Sequence, residues 1–293
     1  MSTLRLAALL AVLTASALAQ SVPAQTLTLT PPQVASGSPV LLSVSAPSAT
    51  SIDGDWLDHA FTFFRGEHNA WFALAGVDVE APAGPSTLTV HIHAASGTRD
   101  LTQSVEIHTA HYRTTTLTVA PRFVAPPPAD LKQIEAEQKL KVKIFSTSAA
   151  TPLWHGDFHA PVHAVATDSF GTRRVFNDSL DSIHKGMDYR ARTGTPVRAS
   201  NSGVVVLARK LYFEGNCVVL DHGLGLYTLS MHLSRIRVRE GQHVATGALL
   251  GLSGATGRVT GPHLHWAVRW QNSYLDPAQL LRLDLNSTQL RSK

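Results

Sequence analysis

One cysteine, Cys217, occurs in 293 residues, so no intrachain disulfide can form. It lies in the apolar run Cys217-Val-Val-Leu220 and reads as a core side chain rather than a reactive thiol. Past the N-terminal segment no stretch is apolar enough to span a membrane, which takes about 20 consecutive apolar residues. Tandem repeats and low-complexity tracts are absent as well. No run of Arg and Lys interleaved with aromatics marks a nucleic-acid surface, so no nucleic acid is expected as partner. The formal charge of +4 is a weak basic balance that would suit an anionic polymer.

What is present begins with a targeting signal. Met1-Ser-Thr-Leu-Arg5 carries one positive charge, an apolar run follows from Leu6 to Leu13, and Ala17-Leu-Ala19 offers small residues for cleavage. Charged start, short apolar core and A-x-A end describe a secretory signal peptide over residues 1–19. The protein is therefore expected to be exported, periplasmic or extracellular, with no stable membrane insertion after cleavage. No cysteine directly follows the cleavage site, so a lipid anchor is not suggested.

From residue 20 to 121 the chain alternates like short strands, as in Thr26-Leu-Thr-Leu-Thr30, Val40-Leu-Leu-Ser-Val-Ser45 and Ser86-Thr-Leu-Thr-Val-His-Ile-His93. Pro/Gly/Ser clusters such as Ser36-Gly-Ser-Pro39 punctuate them, which predicts an immunoglobulin-like β-sandwich as an accessory domain. Pro126-Pro-Pro-Ala-Asp130 breaks the pattern. Asp130 is placed to cap a short helix from Leu131 to about Lys141 within a linker at 122–150. Residues 151–293 return to strands and glycines. Pro196–Ala199, Gly203–Ala208, Cys217–Leu220, Gly225–Leu229, Val244–Gly251 and His263–Val268 each read as a strand, with no long helical period between them. The expected fold class is mainly β, with an antiparallel sheet in the C-terminal domain.

Two motifs carry the chemistry. His184-Lys-Gly-Met-Asp188 places a histidine and a carboxylate four apart, and Gly261-Pro-His263-Leu-His265 places two histidines two apart. Imidazoles with one carboxylate suit a zinc that keeps a position open for water. On a strand, His263 and His265 share a face about 6.5 Å apart. They could supply two ligands, or one ligand and a neighbouring proton-transfer group, and spacing does not choose between these. The chain contains its own decoy, because His91-Ile-His93 repeats the H-x-H spacing without a carboxylate motif beside it. That pair reads as an exposed strand face, and His155, His159 and His163 read as a surface loop.

The wider context separates the pairs. Ser169-Phe-Gly-Thr-Arg-Arg174, His184-Lys-Gly-Met-Asp188, Met231-His-Leu233 and Gly247-Ala-Leu-Leu-Gly-Leu-Ser-Gly-Ala-Thr-Gly257 lead into Thr260-Gly-Pro-His-Leu-His265. In this order the chain resembles, from Phe158 to Leu281, the lysostaphin/LytM-type zinc metalloendopeptidases, which cut stem or bridge peptides of bacterial peptidoglycan. The resemblance implies one zinc per chain, bound by His184, Asp188 and His265, with His232 and His263 catalytic beside the open position. It implies an exported peptidoglycan endopeptidase whose partners are stem or bridge peptides. A non-enzymatic wall-binding or amidase-activating regulator and an exported protease acting on proteins are the alternatives. Ser230 stands where that family often has tyrosine, and Trp266-Ala267 where aromatic-Glu is frequent, which leaves the groove walls open.

Overall fold

In a computed structural model, residues 26–66 and 70–288 are described; the targeting segment expected at 1–19 lies outside them. The first nine strands are β1 (Leu27–Thr30), β2 (Val34–Ala35), β3 (Pro39–Ser45), β4 (Ala49–Trp56), β5 (His59–Thr62), β6 (Phe64–Arg65), β7 (Ala70–Gly76), β8 (Gly84–Ala94) and β9 (Gly97–His108). They form two sheets, ordered β1-β3-β7-β6 and β2-β9-β8-β4-β5. Alternation sorts each strand: on β8, Leu88, Val90 and Ile92 enter a core shared with Val40, Leu42 and Val44 of β3. The sandwich expected from strand spacing is therefore present as two facing sheets.

The chain then crosses over. β10 (Thr114–Leu117) is followed by helix α1 (Pro128–Phe145), then by β11 (Ala166–Asp168), β12 (Arg173–Phe176), β13 (Leu180–Ile183), β14 (Met187–Tyr189), β15 (Pro196–Arg198) and β16 (Gly203–Leu211). β17 (Gly215–Asp221), β18 (Leu226–Leu233), β19 (Arg235–Ile236), β20 (His243–Val244), β21 (Leu249–Leu252), β22 (Leu264–Trp270), β23 (Ser273–Leu275) and α2 (Pro277–Leu280) complete the order. An antiparallel sheet runs β11-β14-β22-β18-β17-β16-β20, with β23 beside β22. A second small sheet, β15-β21-β19, packs next to it. The third pairs β10 in parallel with β12 of the β12–β13 hairpin.

Two local expectations need correction. The helix is longer than predicted and starts at Pro128, with Asp130 in its first turn rather than at the cap. Proline suits that first position because its missing N–H would be unpaired there anyway. The helix extends to Phe145 because its apolar side packs on the sheet, with Phe145 edge-on to Tyr227 at 5.1 Å. The stretch Val244–Gly251 is not one strand but two short ones, β20 and the start of β21. Gly247, at φ +78°, turns the chain between them.

One hydrophobic cluster runs through both the N-terminal sheets and the C-terminal sheet. At the junction Trp270 is fully buried against His59 and Phe61, with ring centroids 5.1 and 6.3 Å away. Backbone groups lock it: the Asp276 N–H donates to Gly37 O (2.7 Å) and the Tyr274 N–H to Asp78 Oδ2 (2.8 Å). Deeper in the sheet, His222 is fully buried, donating from Nδ1 to Ser202 O (2.7 Å) and accepting the Thr228 hydroxyl at Nε2 (2.8 Å). Burial pushes its pKa down to about 4. The native state thus binds fewer protons than the unfolded chain between pH 6.5 and 4, so stability falls as pH drops through that window. Its share is on the order of 3 kcal/mol. Urea denaturation at pH 7 and pH 4.5 should show a shallower loss in His222→Gln; equal losses in both proteins would refute this.

Candidate metal centre

The strand register brings the two motifs together. Asp188 on β14 and His265 on β22 are direct cross-strand partners, and Met231 on β18 faces His265 from the other side. Directly paired residues project to the same face of a sheet. His184 follows β13, its backbone tied to Thr172 and Gly171 (2.8 Å each), and its Nδ1–H donates to Ser169 O at 2.9 Å. The Ser169-Phe-Gly turn therefore fixes the ring so that Nε2 carries the free lone pair, the tautomer a metal needs.

The donor atoms converge. His184 Nε2 is 3.1 Å from Asp188 Oδ1 and 2.9 Å from His265 Nδ1, which is itself 2.9 Å from Asp188 Oδ1. All three residues are buried, and among the described residues they form the one group placed to hold a metal ion. Two imidazoles and one carboxylate oxygen with lone pairs turned to a common point fit a divalent cation with an open coordination position. Gly186 makes the approach possible. A Cβ there would lie 2.5 Å from His265 Nε2 and 2.7 Å from the Trp266 carbonyl. Gly186→Ala should consequently displace His265 and weaken metal binding by about 10- to 100-fold, read by competition titration with a chelating dye; unchanged affinity would refute the argument.

The other two expected histidines share the cavity, a groove of about 670 Å³. His263 precedes β22 rather than lying in it, held extended by a bridge to Gly254. Its Nδ1 donates to Gly261 O (2.8 Å) and its Nε2 lies 3.7 Å from Asp188 Oδ1. His232 donates from Nδ1 to Thr256 O (2.9 Å), and its ring centroid is 5.0 Å from that of His263 and 5.9 Å from that of His265. Met231 already occupies the site face of β18, and regular alternation would turn His232 away from it. At His232 the backbone adopts φ +62°, a left-handed conformation rare outside glycine, which breaks the alternation.

Electrostatics follow from burial and pairing. Burial would raise the Asp188 carboxyl, but its close contacts with His184 and His265 hold it far below the usual carboxylate range. Burial pushes His265 down to about 4 and His232 well below its ordinary value, so both imidazoles are neutral. Sequence spacing missed the residues behind Asp188. Arg174 donates to Asp188 Oδ2 (2.5 Å) and to Asp168 Oδ2 (2.6 Å), while Arg113 pairs with the other oxygen of Asp168. The doubled arginine after Phe170-Gly-Thr was the available signal, but a guanidinium N–H donated to a carboxylate 14 residues away is a tertiary fact.

The decoys separate here. His91 and His93 are not free of carboxylates, as their local sequence suggested. Strands β4 and β9 bring Asp55 and Asp100 to His91 (3.3 and 2.8 Å) and Asp53 to His93 (2.7 Å). Each histidine is engaged with carboxylate oxygens of its own. His155, His159 and His163 are exposed, outside any strand. Ser230 and Trp266 do not line the groove; Trp266 is fully buried in the main core on the far face.

Comparison with known proteins agrees with this arrangement. Peptidase family M23 matches residues 182–277. The chain is 52% identical over 83 residues to the peptidoglycan DD-endopeptidase ShyA of Vibrio cholerae, covering 28% of this chain and 19% of that protein. It is 42% identical over 98 residues to the DD-carboxypeptidase/endopeptidase Mpg of Neisseria meningitidis, covering 33% and 23%. The chain thus spans under a quarter of the length of these two curated relatives. A putative peptidase M23 from Pseudomonas aeruginosa superposes with a TM-score of 0.67 at 27% identity, over 85% of this chain and 95% of that one. The mainly β fold, the buried His/Asp/His group and the matched segment together identify residues 182–277 as a peptidase family M23 domain.

Proposed function

We propose that the chain is an exported zinc endopeptidase that hydrolyses peptide bonds of bacterial peptidoglycan, with a signal peptide at 1–19, an accessory domain at 20–121, a linker at 122–150 and the peptidase at 151–293. The observation that carries the reading is the convergence of His184 Nε2, Asp188 Oδ1 and His265 Nδ1 at the floor of a groove holding two further histidines. The names of the relatives, peptidoglycan DD-endopeptidases among them, support the substrate class. Among the described residues no helix is long and apolar enough to cross a membrane.

His184, Asp188 and His265 would hold zinc, which when bound supplies Lewis acidity for a scissile carbonyl and for water. The remaining work falls to the chain's own groups. His232 is neutral with its Nδ1–H spent on Thr256 O, so its bare Nε2 is poised to take a proton from water and return it to the leaving amine. His263, its ring 5.0 Å from that of His232, lines the same groove beside the open position and would assist there. Arg174 keeps Asp188 ionised and aimed.

The test is incubation of the purified protein with zinc and intact sacculi, followed by mass spectrometry of the soluble products. Peptide-linked fragments should appear and vanish on chelation. Sacculi left uncut in the presence of metal would defeat the endopeptidase reading in favour of a wall-binding or regulatory role. Cleavage of a glycine-rich protein with the sacculi untouched would favour a protein-directed protease.

A further inference from the structure

The groove contains one clamped cation that the chemistry above does not use. Arg258 belongs to the loop that leads from β21 to His263 and lines the same cavity as the five site residues. Its guanidinium carbon lies 4.8 Å from the ring centroid of Phe176 and 5.0 Å from that of Phe213. The backbone is tied down as well, with the Arg258 N–H donating to Phe213 O at 2.8 Å.

Its neighbours on the wall are already paired. Arg113 and Arg174 serve Asp168 and Asp188, and Lys185 pairs with Glu80. Arg190 has no ion pair among the described residues, but it is exposed to solvent. Arg258 is partly buried, and among the described residues no carboxylate forms an ion pair with it. Burial works against its charge, and the Glu214 carboxylate, which also lines the groove but is held by Lys141, offsets this only in part, so an incoming anion would add to that support.

The clamp is also well founded. Phe213 packs on Tyr212 and Phe123 at 4.9 and 6.4 Å, and Phe123 shares a small core with Val119 and Phe176. The crossover segment after the N-terminal sheets thus holds Phe176 and Phe213 in place. A guanidinium fixed between two rings has lost little freedom left to lose, and its planar fork matches a carboxylate. Thr256, whose carbonyl orients His232, stands two residues before Arg258, so one loop presents both groups.

We infer that Arg258 is a specificity-determining residue that takes a free carboxylate on the amine side of the scissile amide. The inference rests on the endopeptidase reading. It follows from the loop: the Thr256 carbonyl that orients His232, the group placed to return a proton to the leaving amine, and the fork placed for an anion stand two residues apart. A crosslink whose amine-side residue keeps a free carboxylate beside the amide nitrogen meets both. A neutral bridge peptide meets only the first.

The experiment uses the full chain with zinc and two crosslinked wall peptides that differ only in that amine-side group, free carboxylate against carboxamide. The wild type should favour the acid by about 10- to 100-fold in kcat/KM, the range for a charge-assisted hydrogen bond. In R258Q the ratio should fall to near one, mainly through a higher KM for the acid, with bound zinc unchanged. R258K, a point charge without the fork, should fall between. Equal use of both peptides by the wild type, or a ratio unchanged in R258Q, overturns the assignment. If neither peptide is cut, the endopeptidase reading fails by itself. Calorimetric binding of the same pair then decides Arg258: an acid preference lost in R258Q supports it, and equal binding overturns it.

Discussion

His265→Ala should yield a folded protein with no bound metal and with hydrolysis at background. His265 supplies one of three donors, and its Nδ1 lies 2.9 Å from both of the others. Alanine leaves two donors, too few to retain a zinc whose protein sites use three or four. Asp188 keeps its bond to Arg174, so the buried carboxylate is not orphaned and the fold should survive. Elemental analysis of the purified variant checks the metal, and far-UV circular dichroism checks the fold. Stoichiometric zinc in His265→Ala would remove the ligand assignment. His91→Ala, His93→Ala should keep full metal content, because those side chains are engaged with Asp53, Asp55 and Asp100.

His232→Ala should behave in the opposite way, keeping zinc while turnover falls by about 10²- to 10⁴-fold, the usual contribution of a positioned acid–base group. None of its atoms belongs to the converging donor group. With its pKa well below the ordinary histidine value, the ring stays in its proton-accepting form as the solution is acidified. The acid limb that His232 contributes to kcat/KM therefore lies below pH 6.5 and disappears in the variant. His263→Ala should also keep its metal and lose turnover, since its Nε2 is 3.7 Å from Asp188 Oδ1 and its ring adjoins His232. Loss of zinc from either variant would merge the two roles that these substitutions are meant to separate.

Much of the site was legible because its determinants are local. A period of two along a strand, a glycine between His184 and Asp188, and the run into Gly-Pro-His-Leu-His265 can all be read in linear order. The β-rich class was legible for the same reason, since alternation and turn residues repeat every few positions. The length of α1 was not, because its last turns are held by packing on Tyr227 rather than by propensity. The break between β20 and β21 was missed because one left-handed glycine decides it.

The sequence by itself determined which residues could bind a metal and which H-x-H pair had the company to do so, because spacing and flanking motifs are properties of the chain. Only the tertiary structure decided what surrounds them. It set Arg174 behind Asp188, turned His232 into the groove through a left-handed backbone, gave the decoy histidines carboxylates of their own, and closed Phe176 and Phe213 on Arg258. Those outcomes depend on strand register and on contacts between residues far apart in sequence, where cross-strand pairing, burial and ring packing, rather than local propensity, fix the geometry.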